Sequence, residues 1–109
     1  MATDKAFVSW VMETIGHPSR FTTRPMFGEY GLYADNTIVG LICDNRLLIK
    51  PVKQSECLED VCKKVQAYPG SKLYYLVTEE QLDEPEGFCK VMFDIARHAP
   101  KKKKPKKKT

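Results

Sequence analysis

At 109 residues, with 42% hydrophobic and 29% charged side chains, the chain is sized for one globular domain that buries roughly 65% of its unfolded surface without metal or disulfide staples. No apolar run approaches the ~20 residues that cross a membrane, and Met1–Lys5 offers no basic segment leading into an apolar one. Neither a membrane span nor a secretory signal is expected, and a cytoplasmic location follows as the expectation. The net charge of +4 averages two unlike parts. Seven lysines lie in residues 101–109; without them 11 basic residues face 14 acidic ones, so residues 1–100 carry −3. A basic globular binder with a cationic groove is ruled out.

In chain order, Thr3 suits a helix N-cap, with Asp4 in the first turn where negative charge favours the helix dipole. Phe7, Trp10, Val11 and Ile15 then fall on one helical face, which makes Trp10 a packing residue. Gly16 and His17-Pro18 end this helix. Pro25 fixes its own φ and keeps Arg24 out of the helical region, so the chain runs extended into Met26-Phe27-Gly28-Glu29-Tyr30-Gly31-Leu32-Tyr33. Gly28 and Gly31 allow a bulge or a close approach by another backbone or a ligand. The stretch reads either as a bulged strand seated on the core or as a recognition surface, since arginine, aromatics and glycine concentrate beside a loop.

Asp35-Asn36 and Asp44-Asn45 are turn signals, because both residue types tolerate left-handed backbone. They divide strands over about 28–34, 37–43 and 46–51, an antiparallel meander whose apolar middle member belongs at the centre. After Pro51, Ser55 can cap a second helix in which Leu58, Val61, Cys62 and Val65 form the inward stripe. Glu59-Lys63 and Asp60-Lys64 would be exposed i, i+4 pairs on it. Tyr68-Pro69-Gly70-Ser71 is a turn, and Leu73–Val77 a further strand. Thr78-Glu79-Glu80-Gln81 has capping-box spacing for one helical turn. Asp83 and an early Pro85 open a final helix burying Phe88, Met92, Ile95, Ala96 and Ala99. The order α-β-β-β-α-β-(β)-α describes an α+β domain, 1–99, with three helices covering an antiparallel sheet. Residues 100–109 form a lysine-rich tail expected to be disordered.

Several of these segments together resemble one known family. Arg24-Pro25-Met26-Phe27-Gly28, then Tyr30-Gly31-Leu32-Tyr33, is similar to the signature of the TfoX (Sxy) N-terminal domain family, associated with bacterial competence regulation. The similarity continues through Asp35-Asn36, Arg46-Leu47-Leu48-Ile49-Lys50, Tyr68-Pro69, Tyr74-Tyr75 and Asp83-Glu84-Pro85-Glu86, about residues 4–99. The resemblance implies helices on a curved antiparallel sheet in a secretion-chaperone-like arrangement, and an influence on transcription. Longer members carry a second, C-terminal domain.

The chemistry of a conventional active site is missing from the sequence. No phosphate loop is present, and no serine sits in a nucleophile-elbow context. Of the four cysteines, Cys43, Cys57, Cys62 and Cys89, none forms a CxxC pair, and His17 and His98 lie far from them in sequence. Neither a metal site nor a disulfide is expected, nor any cofactor, and the chain is not expected to be an enzyme. Two function classes stay open. The first is a regulatory protein that contacts an unidentified protein partner through Arg24, Pro25, Met26, Phe27, Gly28, Glu29 and Tyr30, as a monomer or weak homodimer. The second is a nucleic-acid-associated protein whose Lys101, Lys102, Lys103, Lys104, Lys106, Lys107 and Lys108 hold phosphates without reading sequence.

Overall fold

The computed structural model describes residues 3–26 and 29–99. Helix α1 (Lys5–Ile15) leads into β1 (Phe21–Met26), β2 (Glu29–Ala34), β3 (Thr37–Ile42) and β4 (Leu47–Ile49). A 3-10 helix (Lys53–Leu58), β5 (Lys63–Gln66), β6 (Leu73–Val77), a second 3-10 turn (Gln81–Asp83) and α2 (Glu86–His98) complete the chain. All strand pairs are antiparallel, in the sheet order β1-β2-β3-β4-β6-β5. The α+β class and the meander are as expected from sequence.

The turns follow from residue type. Asp35, Asn36, Asp44 and Asn45 all take positive φ, between 50° and 68°, which turns two adjacent strands tightly. A register shift between Leu32 and Tyr33 against β3 marks the irregularity in this meander. The glycine that the sheet cannot replace is Gly40, where a Cβ would stand 2.3 Å from the Leu48 carbonyl oxygen. Gly16, at φ 70°, ends α1 and donates its N–H to the Met12 carbonyl.

Both helices lie on one side of the sheet. Val8, Val11 and Ile15 of α1 and Cys89, Met92 and Ile95 of α2 bury against Leu32, Ala34, Val39, Ile42, Leu47, Ile49, Tyr75 and Val77. Burial on this scale is the main favourable term in folding. The capping box at Thr78 is formed: the Thr78 hydroxyl accepts the Gln81 N–H at 3.1 Å, and the Gln81 side-chain Oε1 accepts the Thr78 N–H at 2.9 Å.

Several local expectations need correction. The second helix is a 3-10 helix, Lys53–Leu58, with Val52 rather than Ser55 at its N-cap, and Val65 belongs to the edge strand β5, paired with Tyr74. Val61 is 57% exposed rather than part of a stripe. Ser55 is fully buried, where its hydroxyl donates to the Lys50 carbonyl at 2.6 Å and accepts the Val52 N–H. Lys64 pairs with Glu59 at 2.9 Å, not with Asp60. An additional strand, β1, precedes the predicted meander as its edge, a place where Pro25 is tolerated. Trp10 is 37% exposed and packs on Phe7, while Val8 takes the inward place. Asp4 rather than Thr3 stands at the N-cap of α1. The lysine tail, 100–109, lies outside the described residues.

Candidate functional site: an apolar groove on the open sheet face

The second face of the sheet has its own apolar layer. Leu48, Cys43 and Ala67 are buried in it, with Leu41, Val65, Tyr74 and Leu76 packed around them, and no residue of either helix joins this cluster. Strand register explains its continuity. Arg24 lies opposite Gly31, Gly31 opposite Leu41, Leu41 opposite Leu48 and Leu48 opposite Leu76, one row of paired positions across five strands whose apolar part runs from Leu41 to Leu76.

The sequence-predicted contact residues divide between the two faces. Arg24 is exposed, with its guanidinium carbon 5.0 Å from the centre of the Tyr33 ring. Met26 is half-buried and reaches over Gly31, beside Tyr33 and Ile38. Pro25 is exposed on the edge strand, opposite Tyr30. Tyr30 packs the other way, into the helix-side core. Phe27 and Gly28 lie outside the described residues.

Glu29 has a structural task as well as a place in the site. Its Oε1 accepts hydrogen bonds from the Thr3 hydroxyl and, at 3.0 Å, from the Asp44 N–H. The Asn45 side-chain oxygen accepts the Asp4 N–H at 3.0 Å. The start of α1, the start of β2 and the β3–β4 turn are thus tied together, which fixes one end of the face.

At that end lies a groove of about 580 Å³, bounded by Met26, Leu41, Cys43, Ala67, Tyr68 and Pro69, with the Glu29 and Asp44 carboxylates at its rim. Tyr68 is 60% exposed, a large apolar ring held in solvent beside the opening. In sequence Tyr68 and Pro69 read as a turn and as part of the family resemblance; their place in the groove depends on β5 pairing with β6, which brings that turn to the side of the groove across from Met26. Cys43 is inert in this setting. Its thiol donates to the Ala67 carbonyl at 3.3 Å, and burial first, then Glu29, pushes its pKa up.

The helix side carries a different grouping, also invisible in sequence spacing. His17, Glu86 and Cys89 offer ligand atoms all within 4.8 Å of one another, with His17 Nε2 3.5 Å from Glu86 Oε2. The Cys89 thiol donates to the Ile15 carbonyl at 3.3 Å; burial, and secondarily Glu86, pushes its pKa up to about 11. No helix of the described residues is long and apolar enough to cross a membrane.

Comparison with known proteins agrees with the motif. The family model described as TfoX N-terminal domain matches residues 12–96. A Spirochaeta aurantia protein described as "Uncharacterized 12.7 kDa protein in trpE 5'region" is 36% identical over 111 residues, covering 100% of this chain and 96% of the relative. Family match, near full-length relative and the placement of the Arg24–Tyr33 hairpin agree: the chain belongs to the TfoX N-terminal domain family.

Proposed function

We propose that this chain is a non-enzymatic regulatory protein of the competence and transcription type, working in the cytoplasm through protein contacts made on its open sheet face. One observation carries the reading: an apolar layer running across β3, β4, β6 and β5 has no helix residue packed into it, and Arg24 and Met26 of the resembling motif stand on the β1 edge beside it. Contiguous exposed apolar surface with a polar rim is the usual mark of a protein-binding site. The partner this groove fits presents an apolar side chain next to a lysine or arginine, the apolar part entering between Met26, Leu41 and Tyr68 and the cation meeting Asp44 and Glu29.

A second reading has its own observation. The seven lysines of residues 101–109 stand against a domain of net −3, so any affinity for DNA or RNA belongs to the tail. Affinity co-purification of the full chain and of residues 1–99, each with and without nuclease, separates the two. The first reading predicts one protein retained by both chains after nuclease. Loss of all bound material on nuclease treatment or on tail removal would replace it with the second.

A further inference from the structure

We propose that His17, Glu86 and Cys89 form a binding site for one divalent transition-metal ion of the zinc class, at the junction between the end of α1 and the start of α2. The site is separate from the open sheet face and does not depend on the function proposed for it.

The geometry is close to what such an ion requires. Two ligands each about 2.0 Å from a tetrahedral zinc lie about 3.3 Å apart. His17 Nε2 and Glu86 Oε2 are 3.5 Å apart. All three ligand atoms fall within 4.8 Å of one another, and the Glu86 side chain, 72% exposed, is free to adjust to an ion. Glu86 and Cys89 are one turn apart on α2, so they share a helix face.

His17 is held in place before any ion arrives. It takes φ 54°, a conformation few non-glycine residues adopt. Its ring meets Phe93 edge-on at 5.1 Å and Phe21 at 6.0 Å. Both contacts keep the imidazole turned toward α2, and at 35% exposure it keeps a route to solvent.

The donor set selects the metal. Imidazole, thiolate and carboxylate together favour zinc or cobalt over magnesium or calcium, which take oxygen ligands. Three protein ligands leave the fourth position to water, the pattern of an open rather than a closed zinc site. On binding, the Cys89 thiol gives its proton to solvent, the hydrogen bond to the Ile15 carbonyl is lost, and the thiolate turns to the ion. A carboxylate and a buried thiol so close together repel once both are charged, and a cation removes that repulsion.

Cobalt(II) is the probe, because a thiolate ligand gives a charge-transfer absorption in the near ultraviolet and four-coordination gives strong visible bands. The full chain, without an affinity tag, is titrated in a Cys57→Ser background so that the exposed Cys57 thiol contributes nothing. One equivalent of cobalt should bind with both sets of bands, and zinc should displace it. Cys89→Ser should abolish the charge-transfer band. His17→Asn keeps a residue tolerant of positive φ, and Glu86→Gln lies at an exposed position, so both variants should remain folded by far-UV circular dichroism. Each should weaken cobalt binding at least tenfold, since even outer-shell losses cost 10–100-fold. The proposal is overturned by the absence of a charge-transfer band at saturating cobalt, by its persistence in Cys89→Ser, or by unchanged affinity in both His17→Asn and Glu86→Gln. Should Cys89→Ser fail to fold, those two variants decide alone.

Discussion

The Arg24 guanidinium stands 5.0 Å from the Tyr33 ring centre, a cation–π contact between two neighbouring strands whose register sets Arg24 opposite Gly31. Arg24 is exposed, and this contact holds its charge at the border of the apolar layer. Such a contact is worth about 0.5–1 kcal/mol at an exposed site. Arg24→Glu should therefore lower the melting temperature by no more than about 8 °C and leave the far-UV spectrum unchanged. Loss of cooperative unfolding in this variant would show that Arg24 holds the fold.

Two glycines of the same sheet should respond differently to alanine. At Gly40 an added Cβ meets the Leu48 carbonyl oxygen at 2.3 Å, and backbone on a central strand pair cannot yield cheaply. At Gly31 it meets the Tyr33 ring at 3.1 Å and the ends of Ile38 and Met26 at 3.5 Å, all movable side chains. Gly40→Ala should cost about 1–3 kcal/mol, as overpacking does, and Gly31→Ala clearly less. Urea unfolding of both variants checks the order; a larger loss at Gly31 would contradict the register.

The Asp35 carboxylate gives a pH signature. Its pKa is lowered below 3.8, first by the hydrogen bond from Arg20, whose Nε donates to Oδ1 at 2.9 Å, and also by the charge of Arg20. A group that binds its proton less readily when folded stabilises the fold above its unfolded pKa, and that contribution fades as pH falls below about 4 through the folded pKa. Asp35→Asn keeps a residue that tolerates φ 50° while removing the charge. Stability curves of wild type and variant should separate above pH 4 and converge in acid. Both groups are nearly half exposed, so added salt should shrink the separation. Curves parallel at every pH would remove this pair from the account.

How much of this was legible in sequence depends on where each signal resides. The Asp-Asn turns were, because their chemistry is local to the two residues. The β1 edge strand was legible only as extended chain: Thr22, Thr23, Arg24 and Pro25 carry little apolar periodicity, and their pairing is supplied by β2. The over-long second helix came from Leu58, Val61, Cys62 and Val65, whose spacing continues a helical stripe by coincidence, while β6 recruits Lys63–Gln66 as an edge strand. In the groove, Met26 was marked by its motif, whereas Leu41, Ala67 and Tyr68 meet it only through sheet order. His17 and Cys89 come together because the end of α1 packs on the start of α2, a contact that no local spacing announces.

For the lysine tail the expected observable is salt dependence. Seven phosphate contacts on duplex DNA would give a slope of about −6 in log K against log salt. Pro105 interrupts the run, so fewer than seven lysines should engage and the slope should be about −3 to −5, with no preference between two unrelated duplexes. A tenfold preference, or equal binding by residues 1–99, would move nucleic-acid recognition into the domain.

The central claim is that the open sheet face, at the edge marked by Arg24 and Met26, makes the functional contact. It is tested most directly by quantifying nuclease-resistant partner capture for three full-length variants: Arg24→Glu and Met26→Asp on that edge, and Lys90→Glu on exposed α2, each confirmed folded by circular dichroism. The account predicts that both edge variants lose at least nine-tenths of the captured partner while Lys90→Glu captures it like the wild type. Full capture by Arg24→Glu and Met26→Asp, or loss confined to Lys90→Glu, would place the functional surface on the helix side and contradict it.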